Sequence, residues 1–232
     1  MTCKDILTML IQTTTPNIAR TLDFYDRLSF TRIGDNLLTD GQAVIRINTN
    51  HKARTGLVFF RDSWADFLEG LSYPHTKLKD SDTTVVSGPD GVRIFLETGE
   101  EPVITHQDVI MPSLAGAYAG ISLESVDMQR ANAFYESLGF THDQGSPDKG
   151  WVSLLNEDRQ GISIMGMDSC PHQFFQPGLT YFNSGKNPAH ITRIREAGVP
   201  IHEEITVFNN KGEVDNIILL DPGGLGFFIF ND

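Results

Sequence analysis

The sequence predicts an α+β protein in which four βαβββ units form two tandem halves. One observation is a repeat: "TLDFYDRLSF" (21–30) is echoed by "RANAFYESLGF" (130–140), and Phe24 aligns with Phe134. Recurrence of this kind, about half a chain length apart, indicates a duplicated structural unit. A second observation is that shorter echoes follow in the same order in both halves, as expected if each half repeats the whole arrangement.

Each half opens with a strand and a helix. In the second copy, "AGISLESVD" (119–127) alternates as a strand does, and Asp127 stands where a helix N-cap belongs. Apolar residues then recur at helical spacing up to Gly139, which is typical of the left-handed residue that ends a helix. In the first copy we expect Pro16 in the first helical turn, and Ser29 takes the place of the glycine.

The second unit of each half has the same plan. "TGLVFF" (55–60) and "PGLTYF" (177–182) read as strands, and a helical pattern follows each of them, at 63–71 and 187–199. Each half then closes on a turn between two strands, Pro-Asp-Gly in the first and Pro-Gly-Gly in the second.

A single strand–helix–strand unit cannot cover its own sheet, so we expect units to pair. Two paired units curl their sheets into a cup, with helices outside and a cavity inside. The segment "MPSLAGAYAG" is rich in small residues and places the boundary between the halves, which gives domains 1–112 and 113–232. Whether a cup forms within one half or across both is left open by the sequence.

Composition narrows the class of protein. The formal net charge of −12 opposes binding to nucleic acid, which needs a basic face. No apolar run is long enough to cross a membrane, and the start of the chain has no secretory signal, so we expect a cytoplasmic protein. Cys3 and Cys170 are expected to be free thiols, because one pair without a secretory signal is no disulfide framework.

The "FYESLGF" segment and the "DPGG" turn, together with the strand that precedes the first of them, resemble the vicinal oxygen chelate superfamily. This group includes glyoxalases, bleomycin-resistance proteins and extradiol dioxygenases. The resemblance covers nearly the whole chain, once per half. It implies tandem glyoxalase-like domains with cup-shaped mixed sheets, and a divalent ion in a cup that chelates two neighbouring oxygens of a substrate.

The resemblance also implies where the metal ligands would stand: a His on the first strand of each half, a His on the strand that opens the second unit, and a Glu on the last strand. None of the corresponding side chains binds a metal. They are Leu10, Gly56 and Phe95 in the first half, and Gly120, Gly178 and Phe228 in the second. We therefore expect no metal cofactor, the alternative being one divalent ion held by displaced residues, for which His202 and Glu204 could share a strand face.

If the cup persists without its metal, the inward strand faces line a ligand site. The alternation of strand residues and the ligand places together predict nine lining residues: Leu10, Gln12, Arg46, Phe95, Ser122, Glu124, Thr180, Phe182 and Phe228. The phenylalanines and the leucine would form apolar walls around a few polar anchors. Arg46, if it points inward, could pair with Glu124 or hold an anionic group of the ligand.

Three functions remain open at this point. The first is a metal-free protein that binds a small organic molecule, as the bleomycin-resistance branch does. The second is a lyase, isomerase or dioxygenase of the same superfamily, with Glu124 as a candidate general base if burial raises its pKa. The third is a degenerate half that supports a partner protein. Because four units in one chain can complete both cups, we expect a monomer or a loose homodimer.

Overall fold

The computed structural model describes residues 9–79, 81–99 and 112–231. Within them lie sixteen strands and four α-helices, arranged as two eight-stranded mixed sheets. The order strand, helix, three strands occurs four times, which confirms the predicted α+β fold of βαβββ units. Cys3 lies outside the described residues.

The first half contains strands β1 to β8 and helices α1 and α2. In chain order they are β1 (Met9–Thr14), α1 (Ile18–Arg27), β2 (Thr31–Arg32), β3 (Leu37–Thr39), β4 (Val44–Asn48), β5 (Gly56–Arg61), α2 (Ala65–Glu69), β6 (His75–Lys77), β7 (Thr84–Ser87) and β8 (Arg93–Thr98).

The second half repeats this plan, with a longer opening strand. Its elements are β9 (Ala117–Ser125), α3 (Met128–Ser137), β10 (Thr141–Ser146), a 3₁₀ turn (Pro147–Lys149), β11 (Trp151–Leu155), β12 (Gly161–Gly166), β13 (Gly178–Phe182), α4 (Asn187–Glu196), β14 (Glu203–Ile205), β15 (Asn216–Leu220) and β16 (Gly226–Phe230).

Each sheet combines the two units of one half. The orders are β2-β3-β4-β1-β5-β8-β7-β6 and β10-β11-β12-β9-β13-β16-β15-β14. The opening strands of the two units lie side by side and antiparallel at the centre, β1 against β5 and β9 against β13. The cups therefore form within the halves, which answers the question that the sequence left open.

The helix ends follow the sequence signals with one exception. Asp127 caps α3 by accepting a hydrogen bond from the Arg130 backbone N–H, as predicted. Ser29 and Gly139, one residue after their helices' C-caps, both have positive φ, so a serine occupies a conformation that favours glycine. Pro16, however, lies outside the first turn of α1, because Asn17 is the N-cap and the helix begins at Ile18.

The two faces of each sheet bury different clusters. On β1, Met9 and Ile11 point to the large core that contains the helices, whereas Leu10 points to a separate cluster on the other face. Leu37 of β3 and Val85 of β7 both pack against that second cluster, although four strands separate them in the sheet. The sheet must therefore curl around the cluster, which makes it the inside of a cup.

The two halves share one core through crossed contacts. The Tyr25 hydroxyl in α1 donates a hydrogen bond to the carboxylate of Asp221 in the second half, at 2.9 Å. Tyr135 in α3 donates to Asp90 in the first half, at 2.6 Å. Both tyrosines are fully buried. Each half thus supplies a carboxylate that accepts a hydrogen bond from a buried tyrosine of the other half.

A search for membrane-crossing helices gives none: across 9–79, 81–99 and 112–231, every helix is too short or too polar to span a bilayer.

Candidate functional site

Two of the three positions per half at which the resemblance implies a metal ligand fall in one row across each sheet. In the first half, Leu10 pairs with Val58 and Val58 with Phe95. In the second half the equivalent row is Gly120, Thr180 and Phe228. The register thus places Val58 and Thr180 in these rows, two residues beyond the Gly56 and Gly178 that the resemblance suggested.

Phenylalanine rings occupy the space above those two glycines. A Cβ atom on Gly178 would lie 2.3 Å from Cε2 of Phe228, and one on Gly56 would lie 2.8 Å from Cε2 of Phe95. Such distances are too short for any side chain, so a glycine is needed to leave room for the ring beside it. The same pairing of a glycine with a phenylalanine ring occurs in both halves.

The residues of these rows do not fit a metal ion. Their side chains offer one hydroxyl, that of Thr180, and hydrocarbon otherwise, whereas divalent ions are held by imidazole, thiolate or several oxygens. Over the described ranges no group of three His, Cys, Asp or Glu side chains is placed to hold a metal. His202 and Glu204 have separate partners: His202 bonds the side chain of Gln173, and Glu204 pairs with Arg195.

Apolar side chains pack together at the centre of the first cup. Its cluster consists of Leu10, Val44, Val58, Phe60 and Phe95, all buried, with Ile33, Leu37 and Val85 against it. Apolar side chains from both ends of the curled sheet therefore fill the space that a ligand would need.

Polar side chains close this cup toward its mouth. Arg46 points inward and makes two hydrogen bonds to the Glu97 carboxylate, at 2.9 and 2.6 Å. The same guanidinium reaches Gln12 Oε1 at 2.9 Å, which Asn48 also contacts. The suggested pairing of Arg46 with Glu124 is therefore wrong, because Glu124 lies in the other sheet and Arg46 pairs with Glu97 instead.

The second cup encloses a cavity of about 240 Å³. Five strands and the loop between β12 and β13, the covering loop (167–177), supply its walls. The residues that line the cavity are Ala119, Gly120, Ser122, Trp151, Ser163, Met165, Cys170, His172, Phe174, Thr180, Phe182, Phe228 and Phe230. Most of this lining is aromatic or otherwise apolar, with a few polar groups, as is usual for small-molecule sites.

The two cups differ because of four pairs of equivalent residues. Gln12 and Arg46 are neighbours in the first sheet. The corresponding neighbours in the second sheet are Ser122 and Ser163. Leu10 likewise corresponds to Gly120, and Val44 to Gly161. Serine and glycine in the second half thus stand at positions where the first half has large side chains. The cavity occupies the volume that those larger side chains would fill.

Two hydroxyls form one side of the cavity. Ser122 Oγ and Thr180 Oγ1 lie 2.6 Å apart, and either can be the donor. Since one of the two hydroxyl protons is used between them, the other remains for a ligand, and both oxygens can also accept. Both residues are buried, so they make a fixed polar spot in an apolar wall.

The covering loop brings an imidazole over the cavity. His172 Nδ1 lies 2.8 Å from the Gln173 carbonyl oxygen, which can only accept, so Nδ1 carries the proton. Nε2 is buried and has no hydrogen-bond partner within the described part of the chain. The ring packs against Phe230 and Phe228, with centroids 5.1 and 5.6 Å away.

Glu124 stands beside this imidazole and is 8% exposed. Burial raises the pKa of its carboxyl, the nearby Asp168 carboxylate raises it further, and His172 and the Asp168 backbone N–H oppose both. Burial, with Glu124 as the second cause, also raises the pKa of the Cys170 thiol, so this cysteine is held as a weakly nucleophilic thiol.

The nine predicted lining residues are divided between the cups. Ser122, Thr180, Phe182 and Phe228 line the second cavity, and Glu124 lies next to it. Leu10 and Phe95 fill the first cup, which Gln12 and Arg46 close. They therefore do not form one site.

Sequence reasoning missed His172, Phe174 and Ser163. His172 and Phe174 belong to the covering loop, whose path no periodicity fixes. The signal available for the loop was its unusual concentration of aromatic residues, "PHQFF". Ser163 sits on a strand whose small inward residues carry no motif.

The sequence matches no protein-family model and no curated protein. Solved structures do resemble it. A variant of homoprotocatechuate 2,3-dioxygenase from B. fuscum is 13% identical, with a TM-score of 0.55 over 98% of this chain and 71% of that one. The corresponding enzyme from Arthrobacter globiformis is 14% identical, with a TM-score of 0.52 over 98% of this chain and 80% of that one.

A catechol 2,3-dioxygenase is 11% identical, with a TM-score of 0.55 over 96% of this chain and 86% of that one. Similarity at these identities concerns the fold, and it extends over nearly the whole chain. Together with the two matching eight-stranded sheets, it confirms the predicted resemblance: the chain has the tandem vicinal oxygen chelate fold of the extradiol dioxygenases.

Proposed function

We propose that this chain is a metal-free binding protein that holds a small organic molecule in the cup of its second half. The observation that carries the proposal is the pairing of an enclosed aromatic cavity with a phenylalanine, Phe228, in the row where the fold would place a metal ligand. Recognition then rests on ring contacts and on the few polar groups of the lining.

The asymmetry of the cups supports this assignment. The first cup has the same strands and the same ring over a glycine, yet leucine and valine fill its centre. In the second, glycine and serine stand at the equivalent places. Burying apolar ligand surface in such a cavity contributes about 25 cal/mol per Å² of area removed from water.

The test is a thermal-shift screen of small aromatic compounds against the protein and a cavity-filling variant, Ser163→Phe. Compounds that bind in the second cup should raise the Tm of the native chain and leave that of the variant unchanged. Ser87→Phe, at an exposed strand position of the first sheet, is the matched control and should respond like the native chain. A screen in which no compound raises the Tm of the native chain contradicts the proposal.

The second candidate function is an enzyme of the same fold that uses a displaced metal ion. Glu124 favours it, because a buried carboxyl with a raised pKa suits a general base. Metal analysis of protein purified without chelators separates the two. About one iron, nickel, manganese or zinc ion per chain supports the enzyme, and a substoichiometric trace supports the binding protein.

A further inference from the structure

Glu124 is a buried carboxylate that no Lys or Arg of the described residues pairs with. It is more than nine-tenths buried. Within the described residues no Lys or Arg lies at ion-pair distance from it, and the hydrogen bond it accepts comes from the Asp168 backbone N–H. A buried charge is costly unless it is paired. Apart from the neighbouring His172, the described residues therefore offer Glu124 no positive charge.

The carboxylate stands at the edge of the second cavity. On β9 it follows Ser122 by two residues, which places both on the same face of the strand. Across the ladder it is opposite Met165, and both of these neighbours line the cavity. It also interacts electrostatically with His172 and Cys170, which line the cavity as well. A positive charge supplied by a ligand in the cavity would thus come close to Glu124.

The other groups around the cavity favour a cation and oppose an anion. Among the residues that the structure describes, no Lys or Arg contributes to its lining, and Asp168 adds a second carboxylate next to Glu124. His172 Nε2 is a buried acceptor without a donor. An ammonium group carries three donors and no acceptor, so it can satisfy the imidazole and the carboxylate together.

The walls add a further preference for positive charge. Phe174, Phe228 and Phe230 meet within one cluster, with Phe174 and Phe228 centroids 5.0 Å apart. Faces of aromatic rings attract cations, by about 0.5–2 kcal/mol in folded proteins. The same rings bury the apolar part of a ligand.

The volume sets the size of the ligand. A cavity of about 150 Å³ accommodates benzene, and drug-sized ligands occupy roughly 300–1,000 Å³. The cavity of the second cup, at about 240 Å³, lies between these values. It fits one aromatic ring with a short substituent.

Building on the binding function proposed above, we propose that the second cup takes a primary amine attached to a single aromatic ring, with the ammonium group toward Glu124 and His172 and the ring packed against Phe228 and Phe230. Glu124 then supplies the countercharge, and the ligand completes an ion pair that the folded chain leaves open.

The test compares three probes that share one ring: benzylamine, benzyl alcohol and benzoate, each titrated calorimetrically at pH 7. Benzylamine should bind at least tenfold more tightly than benzyl alcohol, and benzoate should not bind. Benzoate or benzyl alcohol binding as tightly as benzylamine overturns the amine assignment. So does failure of benzylamine when other compounds in the thermal-shift screen bind, and in that case the binding function stands.

Variants locate the effect at Glu124. Glu124→Gln should weaken benzylamine binding about tenfold and leave benzyl alcohol binding unchanged, since only the charge is removed. Glu136→Gln, on the exposed face of α3, removes the same charge elsewhere and should alter neither. Unchanged affinity for benzyl alcohol also shows that the variant is folded. Equal losses for both probes, or no loss for either, contradict the role of Glu124.

Discussion

The ring of Phe228 lies over the backbone of Gly178, and the pair forms the central part of the second cup. Its counterpart, Phe95 over Gly56, occurs in the first cup. The aromatic ring and the glycine depend on each other, because only hydrogen leaves room for the ring. A glycine at the start of β13 is thus a requirement of packing, although its backbone is ordinary extended strand.

Replacing Gly178 with alanine should destabilise the protein by about 1–3 kcal/mol, the usual cost of overpacking a core. The new methyl group would meet Phe228 Cε2 and the Phe175 carbonyl oxygen, both closer than 3 Å. Urea denaturation measures the change. Gly70→Ala is the control, because its nearest neighbours lie 3.9 Å away, and its stability should stay close to that of the native chain. Equal stability of the two variants would show that the ring can move aside.

Tyr25→Phe should destabilise the fold by about 1–3 kcal/mol, because the buried Asp221 carboxylate loses one of its partners. Thr13 and the backbone N–H groups of Gly223 and Leu225 remain bonded to it, which limits the loss. The measurement is again urea denaturation. Tyr73→Phe removes a hydroxyl from an exposed contact and should have a clearly smaller effect. If the two variants behave alike, the crossed hydrogen bond contributes little.

The pH dependence of stability should carry the signature of Asp221. Burial raises the pKa of this carboxyl, although its hydrogen bonds oppose the shift. A raised pKa in the folded state means that folding takes up a proton, so the stability from this group is complete below about pH 4. It is then lost as the pH rises through the folded-state pKa.

Asp221→Asn cannot titrate, so its deficit in stability relative to the native chain should be largest near pH 4 and should shrink as the pH rises. Denaturation curves at several pH values between 4 and 7 measure this difference. Glu136→Gln, at an exposed position, should show a deficit that does not follow this course. A deficit for Asp221→Asn that grows with pH would mean that hydrogen bonding, and not burial, dominates the pKa.

The ion pair of the first cup should be coupled more strongly than a surface pair. Arg46 and Glu97 make a bidentate contact and are only 23% and 22% exposed. A double-mutant cycle with Arg46→Met and Glu97→Gln should give a coupling energy of about 0.5–3 kcal/mol. The exposed pair of Lys77 and Asp82 is the comparison and should couple more weakly. Similar couplings would indicate that water reaches the mouth of the first cup.

The fold could be predicted because the repeat marks helices and strands twice. Asp127 and Gly139 delimit α3 through local capping, which depends on few neighbours. Pro16 was placed in α1 because proline is common in a first helical turn, but Asn17 accepts a hydrogen bond from the Arg20 N–H and starts the helix after it. Competition between two local start signals is hard to resolve from sequence.

Only the site residues that lie on strands could be predicted, because strand periodicity fixes which way their side chains point. Ser122, Thr180 and Phe228 follow from alternation along β9, β13 and β16, and they do line the cavity. His172 could not be found in this way, since its place depends on how the covering loop returns over the cup. Its segment is held by long-range contacts, among them the hydrogen bond from Gln173 N–H to Glu203.

The crossed tyrosine–aspartate pairs make the ancient duplication difficult to reverse. A fragment that ended near residue 112 would keep Asp90 but lose the phenol of Tyr135, and the complementary fragment would keep Asp221 without Tyr25. Each piece would contain a carboxylate that has lost the tyrosine hydroxyl bonded to it. Fission of the gene should therefore yield products that regain native structure by complementation, when both are mixed, and not singly.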